Sequence, residues 1–134
     1  MDKSETIAYW TSTSDQDFIA MIHLYDSRDY HWSLFIGHLV IEKLLKALYI
    51  KNIDVNPPKM HDLLRLSEKA NIVLTEERQD ILDIITTFNI NARYPDYKQA
   101  FYRLCNKTYA GLQIEKIKEM RNWLLMLLME ESGR

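Results

Sequence analysis

The stretch Gly37-His38-Leu39-Val40-Ile41-Glu42-Lys43-Leu44-Leu45-Lys46-Ala47 decides how this chain folds. At the angular step of an α-helix, Leu34, His38, Ile41, Leu45 and Leu48 fall within one narrow arc, inside a helix expected from about Tyr30 to about Lys51. Phe35 and Tyr49 widen that arc on one side, Gly37 and Leu44 on the other. The apolar face is broader than a one-sided surface helix needs. The helix is therefore expected to be buried against two neighbours, or against neighbours and a second subunit. Gly37 weakens the helix, so its presence predicts a close backbone approach.

Working outward, Trp10, Phe18, Met21, Ile22 and Tyr25 recur at three- and four-residue steps and predict a first helix from about Ser4 to about Ser27. On the other side, Asn56-Pro57-Pro58 stops the central helix and opens a loop. A short helix is expected from about Lys59 to about Ala70, with Leu63, Leu64 and Leu66 inward and His61 or Asp62 available as a cap. Thr75 reads as an N-cap, followed by Glu76 and Glu77, where a helix dipole favours acids. That fourth helix is expected to reach Asn89, with Ile81, Leu82, Ile84, Ile85 and Phe88 at core spacing. Residues 91–96 read as a loop, because Pro95 pushes Tyr94 out of the α region. Residues 97–110 fit either a helical turn or two, or irregular chain. The last helix is expected from about Leu112 to about Glu131, and its run Trp123 to Met129 is apolar all round. Short connections between long helices make antiparallel neighbours. The expected fold is all-α: one domain over residues 1–134, an up-and-down antiparallel bundle of about five helices.

The bulk numbers agree with that class. At 134 residues a single core suffices without metal or disulfide. Three glycines and three prolines leave room for long regular elements. The net charge of −2 lacks the basic excess of a dedicated nucleic-acid binder, though it leaves room for a local basic patch. Cys105 is the only cysteine, so no internal disulfide can form, which fits a reducing compartment. The first ten residues carry Asp2, Lys3 and Glu5 and no apolar run, so no signal peptide is expected and the cytoplasm is the default location. The longest apolar run, Trp123 to Met129, is too short to span a bilayer, so no membrane association is expected.

Three segments in order carry a family resemblance: Glu42-Lys43-Leu44-Leu45-Lys46-Ala47, then His61-Asp62-Leu63, then Ala92-Arg93-Tyr94-Pro95-Asp96. Together with Trp10 and Asp17 in the first helix, they resemble the HEPN family over about residues 8–129. The resemblance implies a helical bundle that dimerises through its helices. It also implies a link to minimal nucleotidyltransferases, as substrate-binding partner or as the toxin half of a toxin–antitoxin pair. Many members are metal-independent ribonucleases that use an arginine and a histidine separated by four to six residues. Here no arginine has a histidine at that spacing, and none follows Arg93 at all. That chemistry is not carried over, and no catalytic residue is assigned.

The candidate ligand-binding residues, for a nucleotide or phosphate, are Arg93, Tyr94, Asp96, His61, Lys46 and Glu42. Arg93 can grip a phosphate with two hydrogen bonds, Tyr94 can stack on a base, and Asp96 can orient Arg93. In the plainer reading, Arg93 and Asp96 pair to fix the turn. Glu42 and Lys46, four residues apart, either form an ordinary exposed ion pair or handle a proton and a phosphate. His38, four residues before Glu42, is either a satisfied core histidine or half of an acid/base couple. No histidine or cysteine has metal-ligand spacing, there is no glycine-rich phosphate loop, and no cofactor is expected. Three functions remain open: a homodimeric nucleotide- or RNA-binding module, a ribonuclease with a non-standard site of Arg93, His61 and Glu42, and a homodimeric scaffold without ligand.

Overall fold

A computed structural model describes residues 2–130, without the side chains of Pro95 and Asp96. These residues form six helices: α1 (Lys3–Asp26), α2 (Tyr30–Asn52), α3 (Leu63–Lys69), α4 (Glu76–Arg93), α5 (Pro95–Leu104) and α6 (Lys107–Met129). The additional helix is α5, which takes up most of the stretch 97–110 that fits a helical turn or two, and the loop expected over 91–96 shrinks to one residue. Pro95 does end α4, with Tyr94 extended at φ −97° and ψ 129°. It then starts α5 as an initial residue, where a missing N–H leaves nothing unsatisfied. The break is a single residue. The last helix also begins earlier than its apolar pattern suggests, because the Asn106 side chain accepts a hydrogen bond from the Tyr109 N–H at 2.8 Å and caps it.

The arrangement is organised around α2, which packs against every other helix: α1, α3, α4, α5 and α6. Most of its broad apolar surface is covered by its own chain, while Trp32 is 37% exposed and Phe35, Ile36, Leu39 and Tyr49 remain half-buried. Leu34, Ile41, Leu45 and Leu48 are buried as their spacing requires, and Val40, Leu44, Ala47 and Ile50 are buried as well. Two buried serines stitch α1 to α2. Ser14 donates to the Val40 carbonyl at 2.8 Å and Ser33 to the Met21 carbonyl at 2.8 Å. Asp17 pairs with Lys43 at 2.6 Å and Asp15 with Arg121 at 3.1 Å, so both acids of α1 that lie off its apolar stripe face other helices. Gly37 does permit a close approach, but by side chains: a Cβ there would lie 2.5 Å from Ile117 Cδ1 and 3.1 Å from Met21 Sδ.

Two of the expected caps form as read. Asp62 accepts from the Arg65 N–H at 3.2 Å and Thr75 from the Arg78 N–H at 3.2 Å. At the end of α6, where orphan carbonyls need donors, the Lys51 ammonium donates to the Leu127 carbonyl at 2.7 Å and to the Glu130 carbonyl at 2.5 Å. The run from Trp123 to Met129 is not buried all round. Leu124 is buried, but Met126 and Met129 are 64% and 85% exposed. Among the described residues, no helix is long and apolar enough to cross a membrane.

Candidate functional site

Glu42 lies on the central helix with its side chain only 6% exposed. A carboxylate this deep needs partners on both oxygens. Oε1 accepts from His61 Nδ1 at 2.7 Å, and Oε2 accepts from Lys46 Nζ at 3.2 Å. Since a carboxylate is acceptor-only, His61 must carry its proton on Nδ1. Its Nε2 is left unprotonated in the neutral ring, and the side chain is 55% exposed. Glu42 thus orients a surface imidazole, as a positioned acid/base group requires.

The surroundings hold this geometry in place. His38, one turn before Glu42, is fully buried. Its Nε2 donates to the His61 backbone carbonyl at 3.0 Å and lies 3.9 Å from Glu42 Oε1. The Leu63 N–H donates to Thr86 Oγ1 at 3.0 Å, which anchors the start of α3 on α4. Lys46 is not the exposed partner its spacing suggested. Its side chain is 11% exposed, with Nζ 5.2 Å from the centroid of the Trp10 ring. On a helix packed by five others, Lys46 falls on a covered side, which its own sequence cannot disclose. Trp10, which in the sequence lies on the apolar stripe of the first helix and carries part of the family resemblance, is therefore part of the site.

Arg93 and Tyr94 form a second, exposed group. Arg93 Nη1 donates to Asn89 Oδ1 at 3.2 Å, and the guanidinium lies 5.7 Å from the Tyr94 ring centroid. The described partner of Arg93 is thus Asn89, a buried residue of its own helix. The pairing with Asp96 falls on a side chain outside the described ones. Among the described residues, no hydrogen bond links this group to the Glu42 cluster. The two nevertheless share a side of α4, because Thr86 and Arg93 are seven residues apart, two turns and roughly 10 Å along the axis. Among the described residues, no three His, Cys, Asp or Glu side chains converge as a metal site requires.

His38 sets a pH dependence. Burial lowers its pKa below 6.5, against the opposing effects of the His61 carbonyl and Glu42. In the unfolded chain the imidazole binds a proton near pH 6.5, while in the folded chain it resists. Its contribution to stability is complete above that value and is lost as pH falls through the window below it. The unfolding midpoint is expected to drop between about pH 7 and about pH 5, with a shallower drop in a His38→Gln variant, whose amide still donates to the His61 carbonyl. Thermal melts across that range check it. His31, also lowered by burial and by Lys98, acts in the same direction and leaves a residual slope.

A family model described as the HEPN domain matches residues 7–128. No curated protein and no solved structure gives a significant match.

Proposed function

Because the chain belongs to the HEPN domain family, we propose that it is a single-domain, cytoplasmic nucleotide- or RNA-binding module whose ligand meets His61, Arg93 and Tyr94. Glu42 and Lys46 hold His61 in place from below, and Asp96 stands beside Arg93 in the chain. The observation that supports this most is the buried carboxylate orienting an exposed imidazole. His61 and Arg93 contact phosphates, and Tyr94 stacks on a base. The module works as a homodimer and as the partner of a minimal nucleotidyltransferase, in the manner of toxin–antitoxin pairs. Met126 and Met129, left uncovered on α6, support pairing.

The test is fluorescence anisotropy with a short labelled single-stranded RNA, alongside sedimentation for the oligomeric state. His61→Ala and Arg93→Ala are each expected to weaken binding by about tenfold, the size of one charge-assisted hydrogen bond. The Arg93 side chain is exposed, so Arg93→Ala should hardly move the unfolding midpoint, whereas His61→Ala also strips Glu42 Oε1 of its donor and should lower it. Unchanged RNA affinity in both variants overturns the site. A stable monomer at micromolar concentration overturns the dimer.

The Glu42–His61 geometry also favours a second reading, metal-independent RNA cleavage. His61 Nε2 would take the proton of a ribose 2′-hydroxyl, whose oxygen attacks the adjacent phosphorus. The bond to the 5′-oxygen breaks, a 2′,3′-cyclic phosphate forms, and the leaving oxygen takes a proton from water. RNA that stays intact with the wild-type chain removes this reading without touching the first.

A further inference from the structure

A second concave site lies at the far end of α2, between the α1–α2 turn and the α5–α6 junction. It is a cavity of about 350 Å³ bordered by Arg28, Tyr30, His31, Tyr102, Arg103 and Lys107. Its volume is at the small end for ligand pockets. The net charge of the chain is −2, yet this cavity is lined by three cations and no acid. Among the described residues, none of the three cations takes part in an ion pair. Lys98, 5.3 Å from the Trp32 ring centroid, adds to the local positive field.

His31 marks the floor. It is 9% exposed, and among the described residues neither ring nitrogen hydrogen-bonds within the chain, while neither is a sealed, unsatisfied atom like His38 Nδ1. Its ring meets Tyr102 edge-on, centroids 5.1 Å apart, so the tyrosine stands as a fixed aromatic wall. Burial and Lys98 lower the pKa of the imidazole against the opposing charge of Asp29, and the neutral ring can donate from one nitrogen and accept at the other. Cys105 also borders the cavity, but burial pushes its thiol up to about 12, which leaves it unreactive.

We propose that this cavity binds a nucleoside monophosphate unit, its phosphate held by Arg28, Arg103 and Lys107 and its base set against Tyr102 and Tyr30 with a polar edge toward His31. Cations without carboxylate partners fit a phosphate. Aromatic walls fit a planar ring, and an unpartnered buried imidazole fits the edge of a base. The unit can come from a free nucleotide or from the 5′-phosphorylated end of an RNA strand. This site does not rest on the role assigned to His61. His31 and Glu42 are eleven residues apart on α2, about 16 Å along its axis, so the two can fail separately.

Calorimetric titration of the full chain tests it, with AMP, adenosine, inorganic phosphate and a short 5′-phosphorylated RNA as probes. AMP is expected to bind at least tenfold more tightly than either adenosine or phosphate. The Arg28→Ala, Arg103→Ala double variant should lose at least tenfold in AMP affinity, and Tyr102→Leu several-fold, whether or not His61 is also replaced by alanine. Thermal melts establish that the variants are folded, and these side chains are exposed enough to replace. If the phosphorylated RNA binds and free AMP does not, and the binding needs the 5′-phosphate and the two arginines, the strand end is the natural ligand. Failure of both probes, AMP affinity unaffected by the double variant, or phosphate binding as well as AMP, each overturns the proposal. AMP affinity that falls in His61→Ala but not in the double variant would also overturn it, by tying the nucleotide to the other cluster.

Discussion

Replacing Glu42 with alanine is expected to destabilise the chain by about 3 to 5 kcal/mol, the loss seen when one partner of a buried ion pair is removed. For a domain of this size, that is roughly 10 to 15 °C in Tm. The magnitude follows from what the substitution leaves behind. Lys46, 11% exposed, would keep its charge under the Trp10 ring without a counter-ion, and His61 Nδ1 would lose its acceptor. The Glu42→Ala, Lys46→Met double variant should therefore be more stable than Glu42→Ala alone, because no unpaired charge remains inside. RNA affinity should fall in both variants, since neither orients His61. A Glu42→Ala chain that melts within a degree or two of wild type, with unchanged RNA affinity, would show that the cluster neither stabilises the fold nor organises a site.

The second large effect is expected at Gly37. A leucine there would push into Ile117 Cδ1 and Met21 Sδ, at the place where α1, α2 and α6 meet. Overpacking of this kind costs about 1 to 3 kcal/mol, and more where three elements must part. Alanine is a milder insult. Its Cβ meets only the ends of two flexible side chains, and the helix gains roughly 1 kcal/mol over glycine. The expected order of denaturant midpoints is thus wild type and Gly37→Ala close together, with Gly37→Leu well below. Ile117→Ala introduced beside Gly37→Leu should recover a large part of the loss. If Ile117→Ala adds its own full cavity penalty instead, the leucine is accommodated elsewhere and the close packing at Gly37 is not what limits it.

These two positions also show what the sequence could disclose. The buried stripe of α2, the Thr75 and Asp62 caps and the need for small bulk at Gly37 are local facts, set by periodicity and by one or two neighbouring residues. The exposure of Glu42 and Lys46 is not local. Their spacing is that of a surface ion pair, and only the presence of five other helices around α2 turns it into a buried one. His38 satisfies Nε2 on a carbonyl 23 residues away, which no periodicity can indicate. Pro95 was misleading for a different reason. A proline can end one helix or begin the next, and here it does both with a single residue between. Of the candidate residues, Glu42, Lys46 and His61 come together, Arg93 and Tyr94 stand apart along α4, and Asp96 has no described side chain. The cavity at Arg28 and Arg103 left no motif at all, because its cations come from three separate elements and the net charge conceals them.

The role given to His61 can be read directly from its ring nitrogens by NMR, in the full chain, as a short single-stranded RNA is added. The Nδ1 resonance should keep the signature of a proton held by Glu42, while Nε2, the nitrogen turned to solvent, should shift and saturate with the RNA. An Nε2 signal that stays still while RNA binds, or a ring that is already free of Glu42 without ligand, would contradict the assignment.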